Sequence, residues 1–255
     1  NPNADFDDGS CMHIYGCMDE LATNYNEEAS AHGGNCTYPD NGDYSLQFEG
    51  DNDHVELNSA NIIGSRNTFT ISSWINLDGG NSNHANSIYG EFMLVNSASY
   101  TRNYFYAHET GISIDQYAPS GGPSETNTPL SYNEWYHIVY VQDGSNWSTY
   151  LNGTLDNANS NAETYSSGTP THGWIGARFN YPQSEFRGDI KEIAIWYDAL
   201  ESTEINELYS SVTGSNYYNQ DFGNYISSND LGAYYKFNAG SDDILYDHSG
   251  NGNHG

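Results

Sequence analysis

Residues 186–209, FRGDIKEIAIWYDALESTEINELY, constrain the fold of this chain more than any other stretch. Ile190, Glu192 and Ala194 alternate with Lys191, Ile193 and Ile195, the period-2 pattern of a strand with two faces. Trp196 closes that strand. Asp198, Ala199 and Leu200 lead to Ser202, a good helix N-cap, with Glu204 in the first turn, where the helix dipole favours an acid. Ile205, Leu208 and Tyr209 stand at i, i+3 and i+4, the apolar stripe of a short helix. The rest of the chain is written in strands and turns.

Tyr44, Leu46 and Phe48 alternate as a strand, and Gly50-Asp51-Asn52-Asp53 turns the chain into Val55 and Leu57. Phe69, Ile71, Ser73, Ile75 and Leu77 share one face of a longer strand, with Trp74 on the other. Residues 79–122 hold weak strands at 92–95, 104–106 and 112–114 between long polar loops, where binding residues tend to sit. Trp135, His137, Val139 and Val141 then face away from Tyr136, Ile138 and Tyr140. Asp143-Gly144 and Asn152-Gly153 are two tight turns flanking a returning strand. His137, on an apolar face, reads as a hydrogen-bonded core residue. Two-faced strands, frequent turns and one helix near 202–210 give an all-β, two-sheet antiparallel sandwich.

Four of these stretches resemble laminin-G-like (concanavalin A-like) jelly rolls, pentraxins among them. They are the opening YSLQFEGDNDHVEL with NTFTISSWINL, the double hairpin WYHIVYVQDGSNWSTYLNG, the strand and helix at 186–209, and LGAYYKFNAGSDDILYDHSGNGNHG. The resemblance covers about 43–255 and implies one jelly-roll domain there; if the Trp196 ring is buried between its sheets, replacing it by Ala should cost about 3–5 kcal/mol.

Thirty-four acidic residues against six basic ones give a formal net charge of −28. Such acidity without aromatic residues would imply disorder, but 23 Tyr, 9 Phe and 5 Trp supply a core. The charge repels nucleic acid and anionic membranes, and no apolar run is long enough for a membrane helix. Neither nucleic-acid binding nor membrane insertion is expected. The chain starts at Asn1 without a signal peptide, as an excised or processed piece would.

All three cysteines, Cys11, Cys17 and Cys36, fall in the first 36 residues. They read as a disulfide staple and point to an oxidising, extracellular setting, secreted or at the cell surface. NPNADFDDGSC and NEEASAHGGNC align at a 25-residue offset. GCMDELATNYNEEASAHGGNC resembles the short Cys-containing repeats of bacterial secreted and surface proteins. That resemblance implies the tail of one repeat at 1–11, a complete one at 12–40, and a Cys17–Cys36 bond; a Cys11–Cys17 bond is the alternative.

Enzymatic motifs are missing. Gly250 to Gly255 satisfies G-x-G-x-x-G, but no helix follows it and no βαβ unit contains it. There is no G-x-S-x-G, Walker lysine or H-E-x-x-H. Glucanases of the same fold resemble E-x-D-x-x-E on one strand, which sets two carboxylates about 5–5.5 Å apart for retaining chemistry. Asp189 and Glu192 have the wrong spacing and lack the third acid, so no catalysis is expected. The pentraxin resemblance implies an acidic cluster at 177–180, where Arg178 stands instead.

A structural calcium ion is expected. Asp247, Asn251 and Asn253 pack oxygens into a glycine-rich loop that suits a hard cation. The implied topology brings this loop near Asp51 and Asp53, with Glu192 on the adjoining strand. The alternative is an Asx-rich turn held by its own backbone bonds. Asn3, Asp5 and Asp7 offer a second set of oxygens at calcium-loop spacing, or a solvated acidic turn.

The function expected is a non-catalytic carbohydrate-binding or adhesive module, with a glycan or a neighbouring surface protein as partner. Tyr89, Tyr100, Tyr104, Tyr106 and Tyr181 are its candidate stacking residues, each also accountable as strand packing. The alternative is a structural module of a filament, stalk or viral fibre that self-associates without binding sugar.

Overall fold

The chain divides into two units, Asn1–Asp40 and Asn41–Gly255. The computed structural model describes residues 13–33, 36–51, 53–78, 86–96, 99–108, 111–116, 124–160, 162, 169–177, 185–211, 218–240 and 243–255. In the first unit, β1 (Tyr15–Gly16) and β2 (Ala31–His32) pair in parallel. Cys17 is bonded to Cys36, as the repeat implied; Cys11 lies outside the described residues. Side chains hold the loops: the Tyr38 hydroxyl donates to the Asp19 carboxylate at 2.5 Å, and Thr37 N donates to the Asn24 side-chain oxygen at 2.8 Å.

The second unit runs β3 (Leu46–Glu49), β4 (Val55–Leu57), β5 (Thr68–Leu77), β6 (Asn86–Asn96), β7 (Ser99–His108), β8 (Gly111–Gln116), β9 (Ser124–Glu125), β10 (Trp135–Asp143), β11 (Asn146–Leu151), β12 (Thr154–Asn159), β13 (His172–Ile175), β14 (Arg187–Trp196), α1 (Ser202–Ser210) and β15 (Leu231–Tyr235). Among the described residues α1 is the one α-helix. A seven-stranded sheet has the order β12-β11-β10-β5-β14-β15, with β3 also on β14; a six-stranded sheet has the order β4-β13-β6-β7-β8-β9. All their pairings are antiparallel. The weak strands of 79–122 are much longer than their apolar patches, because a hairpin partner supplies hydrogen bonds where side-chain pattern is poor.

Phe69, Ile71 and Ile75 of β5 meet Ile138 and Tyr140 of β10 between the sheets, as their alternation requires. The pattern on β14 differs from expectation. Ile190, Ile193 and Ile195 all enter the core between the sheets, while Ala194 and Trp196 face the other side. A bulge at Lys191–Ala194, with Glu192 at φ 54°, shifts the alternation by one residue.

Trp196 is fully buried, though not between the sheets. It lies on the outer face of the seven-stranded sheet, in a second apolar cluster with Ile205 and Leu208 of α1 and Tyr218, Tyr225 and Tyr234. Its indole N–H donates to the Tyr225 hydroxyl at 2.8 Å, which donates to the Tyr218 carbonyl at 2.6 Å. The residue capping α1 is Glu201, one before Ser202. Glu204 returns a bond to the Glu201 N–H at 3.0 Å and also accepts from Ile226 N and the Ser227 hydroxyl. This buried carboxylate fixes where the helix starts.

Candidate functional site

β14 carries two partners end to end along one edge. Arg187–Ile190 pair with β3, and Ile193–Trp196 pair with β15. Glu192, at the seam between them, holds a left-handed backbone that few non-glycine residues adopt, and so does Phe237 just after β15 (φ 58°). The chain peels away from the sheet on both sides of this seam. A cleft of about 590 Å³ opens there, lined by Tyr44 and Leu46 from the approach to β3, His54 and Glu56 at β4, and Phe237, Asn238 and Asp243 after β15.

The cleft contains a fixed aromatic surface. Tyr44 is 45% exposed, yet its ring is held against backbone: a Cβ on Gly42 or Gly240 would come within 3.3 and 3.0 Å of it. Both glycines have positive φ, so a side chain there would be strained as well as obstructed. The Tyr44 hydroxyl donates to the Asn41 carbonyl at 3.2 Å. Asn41 is tied in turn to the backbone after β15, its N–H to the Asn238 carbonyl at 2.8 Å and its amide to the Ala239 carbonyl at 2.5 Å. Leu46 adds an exposed apolar side chain, and His54 stacks on Trp174 with ring centroids 4.4 Å apart. Glu56 and Asp243 are exposed carboxylates of the lining, and among the described residues no lysine or arginine lines it. One face apolar and aromatic, the other polar, is the composition of a site for an amphipathic ligand.

Three of the tyrosines singled out in the sequence, Tyr89, Tyr104 and Tyr106, fall elsewhere. Tyr89 is in the core between the sheets, its hydroxyl donating to Glu91 at 2.6 Å. A bulge between Ser87 and Tyr89 turns both Ile88 and Tyr89 inward, so Tyr89 is a core residue. Tyr104 and Tyr106 stack at 4.7 Å and are buried, apart from both apolar clusters. Tyr100 lies on β7 with its side chain outside the described residues, and Tyr181 is outside them altogether. Alternation gave no sign of Tyr44; the glycines two residues before it and at 240 were the available signal.

Asn3, Asp5, Asp7 and Arg178 also lie outside the described residues. The Asp247 carboxylate is fully buried and accepts backbone N–H bonds from Tyr234, Ser249 and Asn253, each at 2.9 Å. Asn251 and Asn253 donate their amides to the Gly232 carbonyl at 3.1 and 2.9 Å. These bonds hold the loop as an Asx-rich turn. Asp51 is exposed, Asp53 accepts from Glu49 N at 2.7 Å, and Glu192 accepts from the Tyr234 hydroxyl at 2.5 Å. Among the described residues no three His, Cys, Asp or Glu side chains are gathered to hold a metal ion.

Three buried ionisable groups stand out. Burial pushes the Glu192 carboxyl up to about 7, against the pull of its Tyr234 bond. Burial also raises Glu91, while bonds from Tyr89, Gly64 N, Ile63 N and Asn103 lower it. Glu91 is fully buried and ties the 62–66 turn to β6, a structural task. His137, one of three mutually packed rings with Trp74 and Tyr209, is lowered to about 3 by burial. Contrary to expectation, neither of its ring nitrogens has a hydrogen-bond partner among the described residues.

A family model described as the concanavalin A-like lectin/glucanases superfamily matches residues 49–206. No curated protein matches the chain. Among solved structures, a Bacteroides ovatus protein assigned to carbohydrate binding is similar at 16% identity and TM-score 0.60; the match covers 89% of this chain but only 63% of that protein. Domain 4 of a Geobacillus stearothermophilus extracellular arabinanase, solved with arabinotriose, is similar at 16% identity and TM-score 0.53, covering 71% of this chain and 84% of that one. A heptameric pentraxin from Limulus polyphemus is similar at 15% identity and TM-score 0.53, covering 76% and 91%. At these identities the likeness concerns the fold.

Proposed function

The chain belongs to the concanavalin A-like lectin/glucanase superfamily, and on that premise we propose that it is a non-catalytic carbohydrate-binding module that takes its glycan in the cleft at the β3–β15 seam. The observation that carries this reading is Tyr44, an exposed ring with one edge packed against Gly42 and Gly240. A sugar stacks its C–H face on such a ring without any cost of ordering it. Asn238 and the carboxylates of Glu56 and Asp243 supply partners for hydroxyl groups at the same cleft. The two similar carbohydrate-associated structures support the reading at the level of fold.

The non-catalytic part rests on the missing E-x-D-x-x-E strand. An extracellular setting is supported by the Cys17–Cys36 bond. Calcium enters this reading as a structural ion held by the Asp247–Asn253 loop with Asp51, Asp53 and Glu192, where it would also offset part of the net charge of −28.

Titration calorimetry against the hits of a glycan array tests the proposal. Tyr44→Ala is expected to weaken binding about tenfold or more while the melting temperature stays put. An equal affinity in the variant, or release of reducing sugar from the bound oligosaccharide, would overturn it.

A further inference from the structure

Resting on the glycan reading above, we infer that the cleft prefers amino sugars, oligosaccharides with protonated free amines, over neutral ones and rejects sialic and uronic acids. The lining carboxylates Glu56 and Asp243 are exposed and have no hydrogen-bond or ion-pair partner among the described residues. Among the described residues no lysine or arginine lines the cleft to neutralise them or to receive a ligand carboxylate.

The chain has few bases to lend. Of its six, Arg66 lies over the Tyr197 ring at 3.8 Å and donates to the Ile62 and Ile63 carbonyls. Lys191 is paired with Asp43 at 3.2 Å. The net charge of −28 adds a field of the same sign over the whole surface, which concentrates cations and repels anions on approach.

A second observation points to a ligand at this wall. Asn238 lines the cleft, is 3% exposed, and its Nδ2 has no acceptor among the described residues, although its Oδ1 is engaged by His248 at 3.1 Å. A buried donor left without an acceptor is unfavourable, and a ligand hydroxyl or ring oxygen at the cleft wall would supply one. The geometry therefore offers an amino sugar a ring to stack on, a donor for its oxygens and two anions for its amines.

Calorimetry at pH 6 and low salt should compare a fully N-deacetylated glucosamine oligomer, its N-acetylated counterpart of equal length and an oligogalacturonate. The deacetylated oligomer should bind about tenfold tighter than the acetylated one, as expected for two exposed ion pairs. Added sodium chloride should narrow that ratio, and the oligogalacturonate should not bind. The Glu56→Gln/Asp243→Asn double variant should bring the ratio close to one, and the Asn238→Ala variant should weaken both glucosamine oligomers. Equal affinity for the two oligomers, binding of the uronate, a ratio that survives in the double variant, or equally tight binding of oligolysine would overturn this inference and leave the glycan reading standing. If no glycan of any charge binds, the glycan reading itself falls.

Discussion

Among the described residues up to Asp40, the buried apolar side chains are Cys17, Ala22 and Tyr38, and Ile14, Tyr15, Met18, Leu21 and Tyr25 remain exposed. From Asn41 onward, two clusters of Ile, Phe, Tyr and Trp fill both sides of the seven-stranded sheet. The difference follows from size. A segment of about forty residues has too much surface for its volume to bury a core, and a covalent staple replaces one. The larger unit needs no staple and uses its buried polar groups as anchors instead, Glu91 and Asp247 foremost.

The sharpest way to break this contrast is to reduce the disulfide. Losing such a bond from a small unit often abolishes its folding, so reduction should erase the protection of residues 13–40 in hydrogen exchange and leave the sandwich melting unchanged. A sandwich transition that falls with it would show that the two units depend on one another. Trp196→Ala makes the opposite cut and should cost the sandwich about 3–5 kcal/mol in denaturant titration, with the disulfide unit unaffected. An unchanged midpoint would show that the second apolar cluster contributes little.

Smaller and pH-dependent effects belong to the sandwich alone. His137, lowered to about 3 in the folded state, stays neutral while the unfolded chain takes up a proton below its ordinary value of 6.5. The fold therefore loses up to about 1.4 kcal/mol per pH unit as pH falls from 6.5 towards 3. Glu192, raised to about 7, acts in the other direction: its contribution is fully present below 4.5 and is lost as pH rises to 7. The two oppose each other between 4.5 and 6.5. Melting curves of His137→Phe should lack the acidic decline, and those of Glu192→Gln should lack the decline towards neutrality. Parallel pH profiles for wild type and both variants would refute the assignment.

The fold was legible where one face of a strand is apolar and the other is not. The alternations on β5 and β10, the turns at Gly144 and at Asn152-Gly153, and the stripe of α1 all follow their residues. Trp196 was legible as buried but not in its layer, because the tyrosines that cover it come from a segment with no periodic pattern. The bulge at Glu192 escaped because alternation assumes an unbroken register, and nothing in IKEIAIW marks a change of partner strand. The site was hardly legible. Tyr44 reads as one more residue of a short strand, and its role arises from Gly42 and Gly240, which are almost two hundred residues apart in sequence and meet only in the fold. The Asp247 carboxylate accepts N–H groups from Ser249 and Asn253 of its own loop and from Tyr234 of β15, a strand contact that the loop's spacing does not reveal.

The shared edge of β14 also sets an order of events during synthesis. β3 leaves the ribosome early, yet the strand it pairs with, at Arg187–Ile190, follows only after most of the domain has been made. β15 then arrives last and takes the remaining half of the same edge. Contacts so distant along the chain are slow to form. Until they do, the segment from Leu46 to Glu49 has no partner and β14 exposes a full-length edge that another nascent chain could occupy. The charge of −28, which does nothing to specify the sandwich, keeps such half-finished chains apart.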